Sequence, residues 1–145
     1  MFKSIIKNEH GQAMVEMAIV MILLMMLIFG ITEFGRIFYS NLAVSNGART
    51  GARHAAVTPL TDDALKLFIA QRTFPGNETI FTNADPADGD ITIVYTDILG
   101  ENARGLGGTI SVTVDYPVPI YAPLISTLID NPYLVSATVE MRIET

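Results

Sequence analysis

The sequence predicts an α+β fold, in which one long N-terminal helix packs on a small antiparallel sheet. Residues 13–57 contain no proline, so a helix can run through them until Pro59. The second half of the chain instead contains segments in which apolar and polar residues alternate, as in strands with one buried face and one wet face. With 145 residues, the chain has room for one small domain and a membrane anchor.

The first element is an apolar segment at residues 11–32, in which Glu16 is the single charged residue. About 20 apolar residues cross the roughly 30 Å hydrocarbon core of a bilayer as a helix. We therefore expect a transmembrane half of the helix at residues 12–32, with Glu16 inside it. A carboxylate in a membrane helix costs about 2.5 to 3.5 kcal/mol on insertion scales and by default has a function and a partner.

The distribution of charge predicts the orientation of this helix. Lys3 and Lys7 precede it, and residues 33–145 carry seven basic and thirteen acidic side chains. The positive-inside rule then keeps the N-terminus in the cytoplasm and exports the remainder. An acidic exported domain argues against nucleic acid as a partner. The chain has no cysteine, which excludes disulfides and thiol chemistry.

Three interpretations of the apolar segment differ in where the chain is cut. A secretory signal peptide needs a small-residue cleavage site after the segment, but residues 32–36 include charged and bulky side chains. An uncleaved anchor leaves Glu16 without a partner. Cleavage after Gly11, the third interpretation, frees an α-amino group on Gln12, about one helical turn from Glu16.

Residues 11–16, GQAMVE, resemble the processing site of type IV prepilins, and the basic leader at residues 1–11 and the apolar helix match as well. The resemblance implies that a prepilin peptidase cuts after Gly11. It also implies that Glu16 pairs with the amino terminus of a neighbouring subunit. Such a pair makes a buried carboxylate tolerable, because another buried charge neutralises it.

Residues 33–57 are predicted to be the exported half of the helix. Glu33 and Arg36 are spaced to pair at the membrane surface. An apolar stripe with helical spacing is formed by Phe34, Ile37, Phe38 and Leu42. A second face has small residues at every fourth position, namely Ala43, Gly47, Gly51 and Ala55. Such a face lets another backbone come close, and its partner is either the protein's own sheet or a helix of a neighbouring subunit.

Two motifs in this helix, FGITEFGR at residues 29–36 and NGARTGARHAA at residues 46–56, resemble the TadE-like family. These are pilin-like proteins of the tight-adherence (Tad) pilus systems. The major pilins of those systems are much shorter and have Glu-Tyr where this chain has Glu16-Met17, so the resemblance implies a minor component. It implies as partners a sister minor pilin, the major pilin, the inner-membrane assembly platform and, transiently, the prepilin peptidase.

Residues 58–145 are predicted to form a small extracytoplasmic α+β domain. Thr61 is the expected cap of a short helix at residues 64–73. Alternating segments predict strands at residues 91–96, 110–116 and 134–144, with a candidate edge strand at residues 78–82. The outer half of the long helix is the expected cover for the apolar face of this sheet.

Residues 117–125, PVPIYAPLI, are unusually apolar for a loop. They either cap one end of the sheet or form an exposed patch on which a partner docks. The sequence alone leaves both roles open.

The sequence predicts no catalytic, cofactor-binding or metal site. Its only histidines are His10 and His54, and we expect His54 to be an ordinary surface residue. Residues 85–90, DPADGD, lack the spaced bidentate glutamate of a calcium loop. The predicted function is structural, that of a minor pilin or pseudopilin in the bacterial inner membrane that helps to build a Tad-type adhesion pilus. The alternatives are an uncleaved, membrane-anchored adhesin or sensor and, third, a membrane-tethered enzyme.

Overall fold

The computed structural model describes residues 9–76, 81, 89–97, 104–122, 125–127 and 129–144, with side chains from residue 11 onward. Residues 1–8 of the predicted leader lie outside the described residues. So do most of the candidate edge strand at residues 78–82 and most of the acidic turn at residues 85–90. The described residues form two helices followed by three strands, which confirms the α+β fold class.

Helix α1 (Glu9–Val57) is continuous over 49 residues, which makes it roughly 70–75 Å long at about 1.5 Å per residue. Among the described residues, it is the one helix that is long and apolar enough to cross a membrane. Its most apolar window has a mean hydropathy of 2.7, and none of that window is buried by the rest of the chain. A core helix of a soluble domain would be covered, so this exposure favours a membrane anchor.

Helix α2 (Asp62–Thr73) follows a short turn and confirms the predicted helix with its cap. The Thr61 hydroxyl accepts a hydrogen bond from the Ala64 N–H over 3.4 Å. Asp62 and Asp63 lie in the first turn, where negative charge stabilises a helix. Leu65 and Ile69 are fully buried on its inner face.

The sheet has its three described strands in the order β1–β2–β3, and both neighbouring pairs are antiparallel. The strands are β1 (Asp90–Thr96), β2 (Thr109–Val118) and β3 (Tyr133–Arg142). Val112 lies opposite Val139 on the face towards the core. On the other face, the hydroxyls of Thr113 and Thr138 share a hydrogen bond of 2.9 Å. The predicted alternation of buried and wet faces is therefore confirmed.

The outer half of α1 covers the apolar face of the sheet, as predicted. Its contact residues are small: Val44, Ala48 and Ala52 are fully buried in the core. The predicted apolar stripe is divided: Ile37 packs against the core, whereas Phe34 is 69% and Phe38 55% exposed. Within the described chain, the outer half of α1 thus has one apolar face in the core and a second that stays uncovered.

The sheet lies lengthwise along the outer half of α1. At one end, the Glu144 N–H donates to the Ala56 carbonyl oxygen over 3.0 Å, and Arg104 donates to the Ala55 carbonyl oxygen over 2.9 Å. At the other end, the chain that leaves β2 reaches Glu33. We call these the distal and the proximal end of the domain. The proximal end adjoins the exposed apolar half of α1.

Candidate functional site

The exposed apolar half of α1 carries Glu16 near its start. The Gln12 side-chain amide donates a hydrogen bond to Glu16 Oε1 over 3.1 Å. The two residues are four apart, so they project from the same face of the helix. The predicted first mature residue and the predicted assembly carboxylate therefore lie side by side on an exposed surface.

The junction between the two halves of α1 holds a buried carboxylate, Glu33, and its predicted pair with Arg36 is present. Glu33 is only 5% exposed. Its Oε1 accepts hydrogen bonds from the backbone N–H groups of Tyr121, at 2.7 Å, and Ala122, at 2.9 Å. Hydrogen bonds to an ionised acceptor are about twice as strong as neutral ones. Glu33 therefore fastens the segment that follows β2 to the helix.

Arg36, one turn further along α1, completes this arrangement. Its Nη1 lies 3.7 Å from Glu33 Oε2, and its guanidinium lies 4.4 Å from the centre of the Tyr121 ring. Its Nη2 donates to the Pro119 carbonyl oxygen. Among the described residues, Glu33 Oε2 has no hydrogen-bond partner, so Arg36 compensates its charge across the gap. We call Glu33, Arg36, Pro119, Tyr121 and Ala122 the junction site.

The backbone of the apolar loop explains why a carboxylate is needed here. After β2 ends, the backbone N–H groups have no strand partner, and buried ones require another acceptor. Asn131 Oδ1 accepts from the Ile120 N–H at 2.9 Å, and Glu33 accepts from the next two residues. Val118, Ile120 and Ala122 are buried, so the predicted capping of the sheet end is observed, whereas Tyr121 is 74% exposed.

The junction site was missed because the Glu33–Arg36 spacing alone predicts a surface pair. One signal was available in the sequence: Pro119 has no N–H to continue a strand ladder, and the N–H groups that follow it need acceptors from elsewhere. Nothing local to the loop shows that Glu33 supplies them, because that contact joins residues 88 positions apart.

The small-residue face of α1 lies against another part of the chain. Gly47, Gly51 and Ala55 are buried, and Ala43 is half-buried. A Cβ at Gly51 would lie 2.7 Å from Ile69 Cδ1, and a Cβ at Gly47 would lie 3.0 Å from Thr73 Cβ. Both neighbours belong to α2. The element that packs closely against the two glycines is thus α2. The sequence predicts instead the protein's own sheet or a helix of a neighbouring subunit.

His54, expected at the surface, is half-buried and stacks on Phe68 with 4.3 Å between the ring centres. Within the described parts of the chain, no three His, Asp or Glu side chains come together in a way that could hold a metal ion. Residues 85–90, which were compared with a calcium loop, are described only at Gly89 and Asp90.

A family model described as TadE-like protein matches residues 11–53. The matched segment contains the exposed apolar half of α1, Glu33, Arg36 and both packed glycines, and it covers less than a third of the chain. The match confirms the resemblance drawn from the sequence motifs. Comparison with curated proteins and with solved structures finds no significant match.

Proposed function

We propose that this protein is a pilin-like minor subunit, or pseudopilin, of a Tad-type adhesion pilus. The observation that carries the proposal is the TadE-like match, which begins at Gly11 and runs along α1. A pilin-like subunit needs a helix with one half free for the membrane or a filament and one half fixed to a folded domain. The exposure of residues 11–32 and the burial of Ala48 and Ala52 fit that division.

A prepilin peptidase removes residues 1–11 in this proposal. Cleavage creates an α-amino group on Gln12, about one helical turn from Glu16 of the same chain. In the assembled state, the amino group of a neighbouring subunit compensates Glu16. The Gln12 amide, which is neutral, supplies only a hydrogen bond before assembly.

In this proposal, the apolar half of α1 lies in the bacterial inner membrane, with the N-terminus in the cytoplasm and the sheet domain outside. Its partners are membrane lipid, the prepilin peptidase, a sister minor pilin, the major pilin and the assembly platform. The two positive side chains of the leader, Lys3 and Lys7, support this orientation. The protein contributes structure to the pilus and catalyses no reaction.

Mass spectrometry of the protein's N-terminus tests this function. Protein from cells with an active prepilin peptidase should begin at Gln12, and protein from cells without the peptidase should keep the leader. Gly11→Val is the matched control, because it should block cleavage in both strains. A leader that is retained in both strains would instead identify an uncleaved membrane-anchored adhesin or sensor.

A further inference from the structure

The proximal end of the domain forms an apolar groove with the exposed half of α1. The groove has a volume of about 270 Å³, and α1 lines one side of it with Met21, Met25 and Phe29. Ala122 and Ile125, which follow the junction site, line the other side. A part of the loop thus lies alongside the helix segment that is apolar enough to cross a membrane.

The helix rise gives the depth of this contact. Phe29 and Met21 precede Glu33 by four and twelve residues, which corresponds to about 6 and 18 Å along the helix axis at roughly 1.5 Å per residue. Both positions lie within residues 12–32. If this stretch spans the bilayer, Ile125 lies beside α1 at the depth of the acyl chains.

The loop has the composition of a membrane-inserted segment. Residues 116–129 carry no charge, and the first charged residue after them is Asp130. Large apolar side chains at the proximal end remain exposed, including Tyr121 at 74% and Leu134 at 60%. Arg36 lies over the Tyr121 ring. If residues 12–32 span the bilayer, both residues lie near the boundary between hydrocarbon and water, where tyrosine rings and basic side chains concentrate.

Four N–H groups in the described part of the loop also have the acceptors that a hydrocarbon environment requires. Irregular backbone at membrane depth has to satisfy its N–H groups within the protein, because lipid tails offer no acceptor. Ile125 N–H and Ser126 N–H both donate to the Ala122 carbonyl oxygen, at 3.0 and 2.9 Å. The N–H groups of Tyr121 and Ala122 donate to Glu33.

We propose that the groove is a lipid site, in which an acyl chain of the outer leaflet fills the space between α1 and Ile125. The proximal end of the domain is then seated in the outer leaflet rather than standing above it. The groove is continuous with the membrane-facing surface of α1, so lipid hydrocarbon is the chemistry that adjoins it on its open side. This inference depends on the proposed membrane insertion of α1.

Depth-dependent fluorescence quenching tests the proposal, because the natural chain contains no tryptophan. The full chain with Ile125→Trp is reconstituted into phosphatidylcholine vesicles whose acyl chains carry bromine, at a low ratio of protein to lipid. We expect its emission to be quenched as strongly as that of Leu23→Trp on α1. Leu106→Trp is the matched negative control, because Leu106 is 68% exposed in the turn before β2, near the distal end.

Tyr121→Trp is a second probe that keeps an aromatic ring over Arg36. It should be quenched most by bromine close to the headgroup, and Ile125→Trp by bromine deeper in the chain. If Leu23→Trp is quenched while both loop variants behave like Leu106→Trp, the lipid site is wrong and membrane insertion of α1 stands. If Leu23→Trp is also unquenched, the insertion on which both proposals depend is wrong.

Discussion

At the residue scale, the Glu33 carboxylate links two parts of the chain that lie 88 positions apart in the sequence. One of its oxygens accepts two backbone N–H groups, and the other faces Arg36 at 3.7 Å. Burial of a charge is tolerated when hydrogen bonds and an opposite charge compensate it. Glu33 therefore holds the loop on α1 together with Arg36, which contacts Pro119 and Tyr121.

Replacement of this side chain should release the loop. In Glu33→Ala, the N–H groups of Tyr121 and Ala122 lose their acceptor, which should lower the free energy of unfolding by about 1–3 kcal/mol. Chymotrypsin should also cut after Tyr121 faster than in the natural protein. Both effects are measured on the full chain in detergent micelles.

Glu33→Gln is the matched control for this prediction. It keeps an oxygen acceptor for the two N–H groups but loses the charge that faces Arg36, so its effects should be smaller. Equal stability and equal proteolysis in the natural protein and in Glu33→Ala would show that the carboxylate does not hold the loop.

At the element scale, the contact between α1 and α2 depends on two positions without side chains. The α2 residues Ile69 and Thr73 occupy the space that a Cβ at Gly51 and at Gly47 would need. Glycine costs a helix about 0.5–1 kcal/mol relative to alanine, so this packing has to exceed that cost. The glycines therefore serve contact between helices rather than flexibility.

Gly51→Ala should destabilise the protein by about 1–3 kcal/mol, because the added methyl group overpacks the core against Ile69. Gly35→Ala is the control, since a Cβ there would meet nothing within 4 Å. It should be neutral or stabilise α1 slightly. Chemical unfolding of the full chain in micelles measures both, and a stable Gly51→Ala variant would contradict the close contact.

Tyr95 gives the contact between β1 and α2 a dependence on pH. Its hydroxyl donates to Asp62 Oδ1 over 3.1 Å. Burial, followed by the hydrogen bond and the negative charge of Asp62, raises the pKa of Tyr95 above its ordinary value of 10.0, although Arg104 offsets part of this. The pKa of Tyr95 is therefore higher in the folded state than in the unfolded state. The stability that the protonated hydroxyl gives the fold is fully present below pH 10.0 and is lost as pH rises through the folded-state pKa.

Tyr95→Phe should accordingly lower the free energy of unfolding at neutral pH by about 0.5–1 kcal/mol, the size of an ordinary hydrogen bond. Above the ordinary tyrosine pKa, its stability should fall less steeply than that of the natural protein. In Asp62→Asn, the free energy of unfolding should still fall with pH, although less steeply than in the natural protein, because burial is the largest cause of the raised Tyr95 pKa. Parallel slopes for the natural protein and Tyr95→Phe would exclude the coupling.

The elements that the sequence predicts well are those that depend on neighbouring residues. The Thr61 cap and the period-two strands follow from spacings of a few residues, and both are confirmed. The contacts of Gly51 with Ile69 and of Glu33 with Tyr121 join distant segments. Such contacts leave no periodic pattern in the sequence. One sequence therefore predicts which residues share a face of α1, but it does not show which element packs against that face.

At the scale of the whole molecule, α1 connects two environments. Its outer half packs against the sheet and α2, whereas its apolar half is exposed in the described chain. The one charge in that uncovered half, Glu16, has a neutral partner in Gln12 within the chain. In the proposed assembly, the amino group of a neighbouring subunit compensates this charge, so Glu16 is the residue that reports on assembly.

Glu16→Gln should leave membrane insertion and leader cleavage intact but impair pilus assembly. Loss of one member of a buried charge pair costs about 3–5 kcal/mol, and every 1.4 kcal/mol is about a tenfold change in an equilibrium, so pili per cell should fall tenfold or more. Electron microscopy counts the pili, and mass spectrometry of the N-terminus verifies cleavage. Glu16→Asp keeps the charge and should retain more pili than Glu16→Gln. Pili at the natural number in cells with Glu16→Gln would show that no charge pair at this position drives assembly.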